Sequence, residues 1–177
     1  MVFTDFQDTE DGMEPIAETL VEQTWQEVAE YSQDHATSEM KKIGEDQPDL
    51  LSFMVEFTQD LDPQSIDMGI YLFFVVYRIF EKGYAGKIGQ VSADEIIECY
   101  ETNAELMESL ESAHYRFLER AAEVQLASQP YVIKYVVDAF FEVPEDDELD
   151  PLSDEDIGYL FLLLKTVIDV LNRKTDT

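Results

Sequence analysis

The sequence predicts an all-α fold: a six-helix bundle-like domain built from two tandem three-helix repeats with pseudo-twofold symmetry. Three observations carry that prediction. Apolar residues recur at helical spacing through most of the chain. The stretch DPQSIDMGIYLFFVV, opening at Asp62, returns as DPLSDEDIGYLFLLL at Asp150. A Gln-Pro pair opens an apolar segment in each half, at Gln47-Pro48 and at Gln129-Pro130. Laid against each other without gaps, the segments from Leu61 and Leu149 share Leu, Asp, Pro, Ser, Tyr, Leu and Phe, far more than unrelated segments would. The offset between the Gln-Pro pairs is shorter than that between the Asp-Pro pairs, which places an insertion in the acidic EDDEL loop of the second half.

The elements follow in order. Residues 1–12 read as an acidic flexible N-terminus, 13–83 as the first repeat, 84–91 as a Gly-containing linker and 92–173 as the second repeat, all within one compact domain. Helix A of the first repeat is expected from about Pro15 to Ser32, with Leu20, Val21, Trp25, Val28 and Tyr31 on one stripe. Its counterpart is expected from Ser92, where Glu95 completes a capping box, to about Val124. Each B helix starts at its Gln-Pro pair, proline being tolerated in a first turn whose amide has no intrahelical partner. Each C helix starts at Asp-Pro-x-Ser and is apolar almost all round. Too short to span a bilayer, such helices belong at the centre of a bundle, with the A and B helices around them.

Composition limits function. A chain of 177 residues with 45% hydrophobic content, eleven Phe and nine Tyr fills a core. Against 40 Asp and Glu stand 11 Lys and Arg, a formal charge of -29. That charge repels phosphate backbones and anionic membranes, so neither nucleic acid nor membrane is an expected partner, whereas a basic protein is. A salt-rich habitat would also fit the charge. Cys99 is the sole cysteine, so no intrachain disulfide forms, and the N-terminus lacks the basic and apolar regions of a signal peptide. The expected location is the cytoplasm.

Candidate sites are few. Glu111 and His114 have the Glu-x-x-His spacing of carboxylate-bridged metal sites, which presents both ligands to one point; Glu30 and His35 near the end of the first A helix would be their partners, with Fe, Mn or Zn as the metal. The second Glu-x-x-His that such sites require is absent, Ser32 standing three residues before His35, so a hydrogen-bonded core histidine is the stronger reading. Glu56 and Asp138 occupy equivalent positions in the B helices but fall on solvated polar stripes. The loop from Asp146 to Ile157 has Pro151 where a calcium loop needs glycine, and Gln7 and Pro15 spoil the similar pattern near Asp11 and Gly12. Gly83, Gly86 and Gly89 around Lys87 lack Walker spacing; Gly83 instead reads as the stop of the first C helix. Cys99 has no neighbouring base and reads as a small half-buried thiol. No catalytic signature occurs.

The remaining feature is an acidic ridge, Glu98, Glu101, Glu105 and Glu108, whose like charges at helical spacing weaken the helix unless something offsets them. The expectation is therefore a non-enzymatic acidic interaction module, an adaptor, inhibitor or immunity-like binder of a basic partner, needing no cofactor. The alternative is a metal-binding protein or oxidoreductase with a Glu/His site between the two long A helices.

Overall fold

The computed structural model describes residues 15–85, 87–109, 129–141 and 152–175. The fold is all-helical, with seven helices among these residues: α1 Glu18–Ala29, α2 Gln33–Asp46, α3 Pro48–Thr58, α4 Pro63–Gly83, α5 Ala93–Ser109, α6 Pro130–Phe140 and α7 Asp154–Lys174.

The seventh helix corrects the expectation of six. The first A helix stops at Ala29, and Ser32 starts a second helix in its place: its backbone is extended, and its Oγ accepts the His35 amide at 3.1 Å. A serine cap of this kind satisfies one of the orphan donors of a first turn. Residues 13–83 thus carry four helices where three were expected. In the second half, the expected course of helix A beyond Ser109 lies outside the described residues.

The central pair is α4 and α7, packed against each other. Leu72 through Tyr77 are all buried in α4, and Leu160 through Ile168 are all buried in α7. Each large apolar side chain so removed from water contributes about 2 kcal/mol, which makes these helices the main source of folding free energy. Gly69 lets them approach: a Cβ there would lie 2.8 Å from Leu160 Cδ2, which has no space to yield because Leu160 is fully buried.

Around this pair the outer helices alternate. Helix α1 packs on α4 and α6, α5 packs on α7 and α3, and α2 lies on α3. Two buried glutamines fasten the arrangement. Both precede the proline of a helix start, and both have φ of -135°. Gln47 accepts the Val91 amide at 2.9 Å and donates to the Gly89 carbonyl at 2.9 Å, holding the entry to α5. Gln129 accepts the Ile16 amide at 3.0 Å, holding the entry to α1, and donates to Tyr84 and Asn172 at 2.7 and 2.9 Å. The starts of α3 and α6 therefore each grip the chain entering a helix distant in sequence.

Gly83 stands where the stop of the first C helix was expected, and its lack of a side chain has a second use. It is the last residue of α4, and a Cβ there would meet Ile16 Cγ1 at 2.8 Å, so its smallness serves a close approach. The left-handed residue beyond the helix is Ala85, at φ 54°. No helix among the described residues is long and apolar enough to cross a membrane.

Candidate functional site

Three helices leave an open groove between them. Helix α1 contributes Glu18, Val21, Glu22, Trp25 and Ala29; α4 contributes Met68, Tyr71 and Leu72; α6 contributes Tyr131, Lys134, Tyr135, Asp138 and Ala139. Its volume is about 580 Å³, within the range of pockets that take ligands or anchor side chains. The helical repeat explains the lining. Val21 and Leu72 face the core and form the floor, whereas Glu18, Glu22 and Trp25 follow on the adjoining stripe of α1 and form one wall.

Aromatic side chains dominate. Trp25, Tyr71 and Tyr131 are 36%, 41% and 39% exposed, unusual for rings of this size grouped on one surface. Trp25 stacks with Tyr135, centroids 6.4 Å apart and planes at 20°. Glu18 and Glu22 stand exposed on the rim, and the lining cation Lys134 is matched by Asp138 at 3.4 Å. Apolar faces ringed by carboxylates, with indole and phenol faces accessible, favour a ligand that is apolar on one side and cationic on the other.

The expected sites distribute differently. Glu98, Glu101, Glu105 and Glu108 are all exposed along α5, as one solvated ridge. That ridge belongs to the helix packed on α7 and α3, so the ridge and the groove are built on different elements. Glu56 and Asp138 are exposed, as their polar stripes required.

Glu30 is exposed at the end of α1, and His35 is exposed too. Starting a new helix at Ser32 turns it outward, and its ring stacks on Tyr31 with centroids 4.0 Å apart. Glu111 and His114 lie outside the described residues. Among the described residues there is no group of three or more His, Cys, Asp or Glu side chains placed to hold a metal.

A second polar feature lies in the core, where sequence reasoning saw an apolar run. Lys165 is 2% exposed, and its ammonium donates to Asn103 Oδ1 at 2.8 Å and Asp169 Oδ2 at 2.7 Å. Asn103 donates in turn to Thr166 Oγ1 and Asp169 Oδ2, both at 3.2 Å, tying α5 to α7. Cys99 is buried against this network, deeper than expected. Burial, with the Asp169 carboxylate next in effect, pushes its thiol up to about 11, so it is protonated and unreactive at neutral pH. Every polar group of the cluster is bonded, which makes it a structural device that fixes the register of two helices.

Comparisons with protein families, with curated proteins and with solved structures found no match to this chain.

Proposed function

We infer that this protein is an acidic helical interaction module whose groove between α1, α4 and α6 binds a basic, amphipathic segment of a partner protein. The observation that carries this reading is the grouping of exposed Trp25, Tyr71 and Tyr131 beside the exposed carboxylates of Glu18 and Glu22. Tryptophan and tyrosine are the residues that most often dominate binding energy at protein interfaces. The net charge of -29 adds long-range attraction for a cationic partner and speeds its capture. The acidic ridge on α5 contributes to that field without being the contact surface. A lone, buried, protonated cysteine suits a reducing compartment, consistent with action in the cytoplasm.

Internal duplication is part of this reading. It is supported by the repeated Asp-Pro-x-Ser segments and by the reciprocal glutamine bonds, in which the helix start of each half holds the entry of the other half's A helix. On this account the unit is a pair of interlocked repeats, with α2 added to the first.

Calorimetric titration with a short amphipathic Lys/Leu peptide tests the function. Glu18→Lys with Glu22→Lys is expected to weaken binding at least about tenfold. The triple reversal Glu98→Lys, Glu101→Lys, Glu105→Lys is expected to lower affinity less, mainly at low salt. Loss of binding by the triple variant with full retention by the double variant would move the contact surface to α5 and overturn the assignment.

A further inference from the structure

The groove has a filled counterpart between α3 and α5. Counting from the two glutamines, Phe53 of α3 corresponds to Tyr135 of α6, and Phe57 to Ala139. Counting from the two amides they hold, Tyr100 of α5 corresponds to Trp25 of α1. The ring pairs correspond in order and have similar separations, Phe53 and Tyr100 with centroids 5.9 Å apart and Tyr135 and Trp25 6.4 Å, although the first pair meets edge to face at 70° and the second is stacked at 20°. What differs is the residue beside them. Phe57 seats against both rings of its pair, at 4.6 Å from Phe53 and 5.1 Å from Tyr100, and is partly buried against the core. At the corresponding place α6 has the methyl group of Ala139, and the space is the groove.

We propose that the bound segment inserts one bulky apolar anchor, a Phe side chain, against Trp25 and Tyr135, taking the place that Phe57 fills in the other half, while its flanking Lys or Arg residues meet Glu18 and Glu22. This rests on the groove reading above and names what the groove selects: a basic segment is bound through a single aromatic anchor, and Ala139 is the residue that keeps the seat open. Edge-to-face and offset contacts with two rings reward an aromatic anchor over an aliphatic one of similar size. The carboxylate rim, in contrast, selects charge without regard to the anchor.

The test uses the full chain and two synthetic peptides, an amphipathic Lys/Leu peptide with one central Phe and the same peptide with that Phe replaced by Ala. The wild-type protein is expected to prefer the Phe peptide by at least about tenfold. Ala139→Phe is expected to fill the seat from within, abolish that preference and lower affinity for the Phe peptide to that of the Ala peptide, with the helical circular dichroism and melting temperature retained. Should Ala139→Phe not fold, Ala139→Leu serves in its place. Equal binding of the two peptides by the wild-type protein, or an undiminished preference in a folded Ala139 variant, would overturn the anchor while leaving the groove as a binding site. Failure of the wild-type protein to bind either peptide would overturn the groove reading and the anchor with it.

Discussion

The side chain of Gln129 accepts a hydrogen bond from the backbone amide of Ile16, 3.0 Å away in space and 113 residues away in sequence. Both residues are buried, so the bond closes the first helix onto the second half where water cannot substitute for it. Gln129→Leu removes the side-chain acceptor of the Ile16 amide and one donor each to Tyr84, which keeps its bond with Thr175, and Asn172. The expected loss is about 2–3 kcal/mol, read as a lower urea midpoint with an unchanged slope.

Lys165 and Asp169 form a pair whose halves are unequal to lose. Asp169→Ala removes the carboxylate that accepts from a 2% exposed ammonium and is expected to cost about 3–5 kcal/mol. Lys165→Met with Asp169→Leu replaces the pair by apolar groups and is expected to cost less than Asp169→Ala alone. Denaturant unfolding of the single and double variants measures this non-additivity; simple addition of the two single effects would contradict the buried network.

Alkaline pH is expected to unfold the protein through its tyrosines. Burial pushes Tyr77 and Tyr159 up to about 12 from the ordinary 10.0. With folded values above unfolded ones, their contribution is complete below pH 10 and is lost as pH rises toward 12. For Tyr77 the loss reaches about 2–3 kcal/mol; Tyr159 is more exposed and loses less. Phenolate absorbance should therefore appear together with loss of helical signal. At the acid end, the Lys82 bond holds Glu27 below its ordinary value, and the Ser92 amide followed by Lys174 does the same for Glu95. Their contribution is present above pH 4.5 and fades as pH falls through the lower folded values. Glu27 is exposed and Glu95 partly so, so this effect is small.

Salt should raise stability. Folding concentrates 40 carboxylates against 11 cations, and screening relieves that repulsion. The melting temperature is expected to climb steadily from about 0.01 to 0.5 M NaCl as the Debye length shrinks. A flat profile would contradict the destabilising repulsion, because 11 cations cannot pair with 40 carboxylates.

The fold was legible where pattern and burial agree. The apolar runs of α4 and α7, the Gln-Pro starts of α3 and α6 and the Ser92 capping box were all readable in one dimension. Helix α2 was not, because QDHATSEMKKIGED presents one buried apolar residue, Ile43, and so has almost no periodic signal. Its only advance sign was Ser32 followed by Asp34. Lys165 was hidden for the opposite reason: a cation inside YLFLLLKTVIDV looks like the one wet position of a core helix, and its partner Asn103 lies 62 residues away. The groove needed three elements brought together. Trp25 read as core from its stripe, but it stands 36% exposed at the groove wall.

Trp25 is the sole tryptophan and stands at the groove wall, so its fluorescence reports on that site alone. The most direct measurement is its emission spectrum during titration with the Phe-bearing Lys/Leu peptide at low and moderate salt. The account predicts a saturable blue shift, as the peptide covers an indole that is 36% exposed, with affinity falling as salt rises. Saturable binding detected by calorimetry with no change in Trp25 emission, or no binding at all, would contradict it.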